Sequence, residues 1–334
     1  MPLDKKKRVI IAGTGRYLPE KILTNADFEK VPGIETSDEW IRTRTGIIER
    51  RMVEGDTATS DLAHKAAQKA LEKAGRTPEE LDLIIVGTIT PDTFLPSCAC
   101  WLQDKLGAKN AGAFDITAAC TGFIYGISVA ESLIASGAMN KVLVVGSECL
   151  TKITDYQDRS SCILFGDGAG AAVLEATDDE NRGIIGFKLG ADGSGGSYMI
   201  TPAGGSHIPP THETIDKRLH YMKIMGREVF KFAVNKMVEL IEALLKEHNL
   251  SIADVKLIIP HQVNYRILSF AAQKLNMPIE KMYINIDKYG NTSAASIPIA
   301  LDEALEKGMI EKGDLIAFVA FGGGLTWGSC LLRW

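Results

Sequence analysis

The chain has 334 residues, 46% of them hydrophobic and 24% charged, with a formal net charge of −5. That is enough apolar material for two domains or one large doubled one. The mild acidity gives no global basic field pointing to nucleic acid, and no apolar run approaches the ~18 residues of a membrane span.

The start, 1–8, is polar and Lys-rich and lacks the apolar core of a signal peptide. Arg8 to Gly13 is a β-branched apolar run and predicts a buried strand. Gly13-Thr14-Gly15 lacks the third Gly of a dinucleotide loop and Pro19 blocks a helix, so it reads as a turn. Asp38 to Gly46 sets Trp40 among Arg42 and Arg44. On composition this is equally a ring- and phosphate-binding surface or a structural Trp among solvated charges.

Thr59-Ser60 caps a helix to about Lys73, stopped by Gly75 and Pro78. Strand, helix and strand follow at Leu81–Thr88, Pro96–Leu106 and Ala113–Thr117. A helix runs from Phe123 to Ser136, and a strand from Lys141 to Ser147. Phe165–Leu174 reads as a Gly-broken edge strand, and no Gly-Lys-Ser/Thr follows to make a P-loop. Gly183–Leu189 predicts a strand, and Ala191–His220 a long aperiodic loop of the kind that is functional or mobile. Beyond it, Arg227–Lys246 reads as a helix, Val255–Pro260 as a strand, Asn264–Lys274 as a helix and Met282–Ile286 as a strand. A helix at Ser293–Lys307 and strands at Ile316–Phe321 and Leu325–Arg333 close the chain. The alternation argues parallel sheets covered by helices, twice over.

The stretch Asp115-Ile116-Thr117-Ala118-Ala119-Cys120-Thr121-Gly122-Phe123 reads as strand, tight turn, helix, with Cys120 at the turn. A thiol near a helix N-terminus has a lowered pKa and more thiolate. On this stretch alone, a buried structural Cys is the competing reading. The six cysteines, Cys98, Cys100, Cys120, Cys149, Cys162 and Cys330, show no paired Cys-x-x-Cys spacing and no accompanying His cluster. No zinc site is expected, and a reducing cytoplasm fits best.

Leu83-Ile84-Ile85 matches Leu257-Ile258-Ile259, which aligns Gly87 with His261. Cys120-Thr121 and Asn291-Thr292 each open a helix that ends at a Gly seventeen residues on, Gly137 and Gly308. Two such units about a pseudo-twofold would bring both helix starts, where polar ligands bind, to one pocket. A lone His is usually structural and a lone Asn before a helix is usually a cap. Cys, His and Asn together suit thioester chemistry: thiolate attack, then stabilisation of an oxyanion by neutral or cationic donors. No carboxylate adjoins the three in sequence, which suits a step that builds an enolate.

Taken with Thr36–Ile47, Ala118–Phe123, Pro260–Asn264, Gly290–Ser296 and Phe321–Gly328, the sequence resembles β-ketoacyl-acyl-carrier-protein synthase III, a condensing-enzyme family of the thiolase superfamily. The resemblance covers essentially the whole chain. It implies a thiolase-like α/β fold, a five-layer αβαβα sandwich of two βαβαβαββ halves, 1–182 with the Cys and 183–334 with the His and Asn. It implies catalytic Cys120, His261 and Asn291, and an oxyanion hole from the N–H groups of Cys120 and Gly323. It further implies CoA contacts at Trp40, Arg44 and Arg159, and acyl-pocket positions at Phe165 and Leu95, the latter reaching across a homodimer. A surface of Lys231, Gln262, Val263, Asn264, Tyr265 and Arg266 would meet the acidic carrier protein. Acyl-CoA and malonyl-carrier protein are then substrates, with no metal or other cofactor. Alternatives within the superfamily are a secondary-metabolism paralogue with another starter and a hydroxymethylglutaryl-CoA-synthase-like acyltransferase. Papain-like proteases share the Cys, His, Asn order but not the motif around Cys120.

Overall fold

The structure, a computed structural model, describes residues 7–334. Its first sheet is built from β1 (Arg8–Tyr17), β2 (Leu83–Gly87), β3 (Gly112–Ile116), β4 (Lys141–Glu148) and β5 (Gly168–Thr177), with α1 (Asp38–Thr45), α2 (Thr59–Ala74), α3 (Cys98–Leu106) and α4 (Gly122–Ala135) between them. The order across the sheet is β1-β5-β4-β2-β3. β4, β2 and β3 run parallel, while β5 is antiparallel to both β1 and β4.

The second sheet comprises β6 (Gly183–Ala191), β7 (Leu257–Pro260), β8 (Leu315–Gly322) and β9 (Thr326–Arg333), accompanied by α5 (Gly226–Glu247), α6 (Tyr265–Lys274) and α7 (Ser296–Glu306). Read from its far edge, the order β6-β9-β8-β7 repeats the first sheet: first strand, last, last but one, second. Strand directions repeat as well. The strand predicted at Met282–Ile286 survives as a single bridge, Ile258 to Met282, because the chain turns helical at Ile286–Tyr289.

Alternating strand residues sort the helices into layers. Ile84, Val86, Leu143 and Val145 face out to α2 and α3. Leu83, Ile85, Val142 and Val144 face in to α4 and α7, which meet Leu257, Ile259, Ile316 and Phe318 from the other sheet. The far face of that second sheet, Leu315, Ala317 and Val319, packs on α5 and α6. Helix, sheet, helix, sheet, helix is the five-layer order. Each fully buried Leu, Ile or Val side chain in it contributes roughly 1.5–3 kcal/mol.

Small residues set how close these layers come. β5, expected at an edge, lies between β1 and β4. Its glycines serve packing: a Cβ on Gly170 would stand 2.7 Å from Ile299 N and Pro298 C of α7. Gly13 and Gly15, expected in a turn, lie in β1, where a Cβ would meet Ala70 O at 2.4 Å and Ala66 O at 2.3 Å on α2.

The equal spacing to Gly137 and Gly308 aligns Cys120 with Asn291, but the fold aligns them differently. Ala119–Thr121 and Ser293–Ala295 are matching 3-10 turns whose first residues have φ of 45° and 48°. α4 follows the first directly and α7 the second. Cys120 therefore corresponds to Ala294. The coincidence in spacing arises because α7 has 11 residues against 14 in α4, close to one turn less.

Candidate active site

The left-handed φ at Ala119 costs a residue with a Cβ about 1–2 kcal/mol and aims the next side chain, Cys120, off the start of α4. Neighbouring hydroxyls hold this turn. Thr121 Oγ1 and Thr326 Oγ1 lie 2.9 Å apart and reach Ala118 O at 2.6 and 3.1 Å. The β8–β9 turn presses on the other side: a Cβ on Gly322 would stand 2.8 Å from Cys120 N.

The second turn arrives from the C-terminal half. A Cβ on Gly146, near the end of β4, would fall 2.1 Å from Ala294 O, and one on Gly87, at the end of β2, 2.7 Å from Gly122 C. Glycine lets both helix starts sit on strand ends. Asn291 Oδ1 accepts from Ser293 N at 2.8 Å, leaving the amide NH2 free to donate elsewhere. Its backbone joins Phe165 by a parallel bridge. Ser293 Oγ is buried beside the Cys120 thiol and the Glu148 carboxyl, without a well-aligned partner of its own.

His261 follows β7. It is 1% exposed, and its Nδ1 lies 2.8 Å from Ser296 Oγ at the start of α7. Its ring meets Phe321 edge-on, centroids 6.0 Å apart. Ser296 fixes the ring and leaves Nε2 as the free nitrogen. Thus Cys120, His261 and Asn291 share one neighbourhood, tied together through Ser293, Ser296 and Phe321–Gly322.

Burial controls the charges. It pushes the Cys120 thiol up to about 12, with Ser293 lowering it and the Glu148 charge raising it further. The lowered thiol pKa expected from the helix start is therefore not the resting state, because the thiol sits in dry surroundings. Burial lowers His261 to about 3, leaving a neutral imidazole. Burial raises Glu148 to about 7 against hydrogen bonds that lower it. This carboxyl accepts from Thr90 Oγ1 at 2.6 Å and from Thr88 Oγ1 and Ile89 N at 3.2 Å. Sequence reasoning missed Glu148, since only sheet pairing brings the end of β4 behind Cys120; a charged residue closing an apolar strand was the available signal.

The other candidates spread over the surface. Trp40 is half-buried, with the guanidinium of Arg159 4.4 Å and that of Arg44 5.7 Å from its ring centroid. Arg159 also donates to Glu35 O at 2.7 Å. Phe165 is buried with Leu150 and Met222, flanked by Ile89, Ile153 and Met199. Leu95 is 87% exposed and does not join its own chain's site. Lys231 and Arg266 are exposed, with Arg266 6.0 Å over Phe230. Tyr265 is exposed beside Gly46, and Asn264 caps α6 and donates to Arg44 O. Val263 is half-buried against the outer core. Gln262 must be taken off the docking surface. It is 1% exposed, and its amide is consumed by Pro260 O, Tyr283 O and Asn285 N. Among the described residues no cluster of His, Cys, Asp or Glu could hold a metal ion, and no helix is long and apolar enough to cross a membrane.

Two stacked sheets of one topology, with a cysteine turn facing a second turn from the other half, define a thiolase-fold condensing enzyme. The family descriptions 3-oxoacyl-[acyl-carrier-protein (ACP)] synthase III and its C-terminal part match residues 114–193 and 245–334. The chain is 54% identical over 324 residues to a β-ketoacyl-[acyl-carrier-protein] synthase III of Caldanaerobacter subterraneus subsp. tengcongensis, covering 97% of both chains. It is 52% identical over 326 residues to the corresponding protein of Natranaerobius thermophilus, covering 97% of this chain and 98% of the other. The crystal structure of 3-oxoacyl-[acyl-carrier-protein] synthase III from Aquifex aeolicus VF5 superposes with a TM-score of 0.90 at 47% identity, over 98% of this chain and 100% of that one. The chain belongs to the β-ketoacyl-[acyl-carrier-protein] synthase III family, whose members are acyltransferases of fatty acid biosynthesis.

Proposed function

We propose that the chain condenses a short acyl group delivered by CoA with malonyl-carrier protein, through an acyl-Cys120 intermediate. The observation that carries the reading is the meeting, at one thiol, of the Ala119–Thr121 turn, the Asn291–Ser293 turn and the Gly322–Gly323 backbone. Attack by Cys120 Sγ forms the new S–C bond. The Cys120 and Gly323 N–H groups stabilise the tetrahedral oxyanion. The C–S bond to CoA then breaks, and the thiol proton leaves with CoA.

His261 Nε2 and the Asn291 NH2 next hold the malonyl thioester carbonyl. The bond to the carboxylate breaks, CO2 departs, and the electron pair is held as an enolate by these two neutral donors. The enolate carbon attacks acyl-Cys120, the C–S bond breaks, and the sulfur takes a proton from solvent. The product is a 3-ketoacyl-carrier protein. Trp40 between Arg44 and Arg159 suits the adenine and phosphates of CoA. Lys231 and Arg266 suit an acidic carrier, although the protein is net acidic, because steering needs only a local patch. Phe94 and Leu95 suit a second subunit, and the halves 1–182 and 183–334 are read as a duplicated unit.

Intact mass after exposure to a mixture of acetyl-, isobutyryl- and octanoyl-CoA tests the reading. One acyl group should appear on Cys120, and none on Cys120→Ser. A Cys120→Ser protein that still loads at the wild-type rate removes the nucleophile. The relative loading reports the starter: Leu95 is small and flexible enough for longer or branched groups, and strict acetyl preference counts against that.

A further inference from the structure

The apolar cluster around Phe165 is closed on one side by a segment with little regular structure. Residues 201–222 lie between the paired strands Met199–Ile200 and Lys223–Ile224, with one short helix at His212–Asp216. The segment returns at Met222, which is 4% exposed and packs with Leu150 and Phe165. One backbone bond, Met222 N to Ile153 O at 3.0 Å, ties this return to the chain beneath.

Ion pairs add to this attachment. Asp155, 3% exposed, accepts from Arg218 Nη2 at 2.5 Å and Nε at 3.1 Å, and from Lys223 Nζ at 2.6 Å. Its Oδ1 also accepts from Gln157 N at 3.0 Å. Arg218 takes a left-handed φ of 56° and sets its guanidinium 4.7 Å over Tyr221. Arg218 precedes Met222 and Lys223 follows it, so both cations converge on one carboxylate and press the side chain between them onto Phe165. Burial raises the Asp155 carboxyl, but Arg218 and Lys223 outweigh it and hold the group ionised. An ion pair with one partner buried is costly to break from one side, because a charge is left uncompensated. Methionine is unbranched and adaptable, so where this wall stands depends on what holds it from behind. Phe165 in turn bridges to Asn291, which links the clamp to the catalytic cluster.

We propose that Asp155 is a positioning residue that fixes the depth of the acyl pocket, holding Met222 against Phe165 through Arg218 and Lys223, and so sets which starter chain lengths load Cys120. This rests on reading the Phe165 cluster as the acyl pocket.

The test compares kcat/KM for Cys120 loading from acetyl-CoA and octanoyl-CoA in the full chain. Asp155→Asn should raise the octanoyl-to-acetyl ratio roughly fivefold or more, within the range one or two methylenes of pocket space can shift. Asp155→Glu, which keeps the charge, should return the ratio toward wild type. Where Asp155→Asn does not fold, Lys223→Met loosens one side of the clamp from a half-exposed position and should move the ratio in the same direction. Met222→Ala opens the wall directly and separates the two readings. If it shifts the ratio and the folded clamp variant does not, the clamp is wrong. If Met222→Ala and Phe165→Ala both leave the ratio unchanged, the pocket assignment beneath the clamp is wrong. An equal fall for both acyl-CoAs in Asp155→Asn also overturns the proposal.

Discussion

Cys120 and His261 both rest uncharged at neutral pH, the thiol pushed up to about 12 and the imidazole down to about 3 by burial. A neutral imidazole donates a hydrogen bond without adding a positive charge that would hold the malonyl carboxylate. Asn291→Ala should therefore leave Cys120 loading within about threefold while lowering malonyl decarboxylation about a hundredfold or more, the loss typical of one oxyanion donor. Separate assays of the two half-reactions check this, and equal loss in both contradicts the division of labour. Glu148 gives a pH signature. Its folded pKa of about 7 lies above the ordinary 4.5, so its protonated form is favoured by folding. The contribution is full below pH 4.5, is lost as pH rises through 7, and amounts to about 3 kcal/mol. Urea unfolding from pH 4.5 to 8 should show the wild type losing stability relative to Glu148→Gln, because the opposite gain from neutral His261 up to pH 6.5 is common to both proteins. Matching slopes would show that Glu148 does not titrate on folding. Cys120, His261 and Asn291 were legible in sequence as candidates because each stands between a strand and a helix. Glu148 was not, because a charge closing an apolar strand does not say which side chains the sheet brings beside it.

At the scale of elements, glycine decides how near the layers come. Ala294 O lies 2.1 Å from where a Cβ on Gly146 would sit, and both groups belong to rigid backbone. Gly146→Ala should cost about 1–3 kcal/mol or more and displace the Ser293 turn. Gly193→Ala, with nothing within 4 Å and no positive φ, is the matched control. Thermal melts of the two variants check this, and equal melting temperatures would contradict it. Apolar periodicity revealed nearly every strand and helix, yet it placed β5 at an edge. A Gly- and Ala-rich strand looks weak in isolation. Only the overlying α7 shows that its small side chains are what allow the helix to approach. The reduction of Met282–Ile286 to one bridge has a similar origin: a short apolar run does not say whether a sheet edge is there to receive it.

Over the whole molecule, Phe94 and Leu95 stand out, 86% and 87% exposed on one loop beside a cleft of about 470 Å³ that includes Ile89, Ile153 and Thr201. Adjacent apolar side chains this exposed mark an interaction site. If the second subunit proposed above docks here, the wild type should sediment as a dimer, and replacing both residues with Asp should shift it toward monomer and lower loading of Cys120. A monomeric wild type, or a dimer unchanged by the substitutions, would remove this loop as an interface.

Sequence by itself determined most of the strands and helices, their repeated order, and the candidacy of Cys120, His261 and Asn291. Periodicity, strand-end motifs and turn residues are local properties written residue by residue. Tertiary structure alone decided the register of the two halves, the burial that neutralises Cys120 and His261, the withdrawal of Gln262 into the core and the arrival of Glu148. These depend on which surfaces lose water when the two sheets close on α4 and α7, and desolvation is a property of the packed whole.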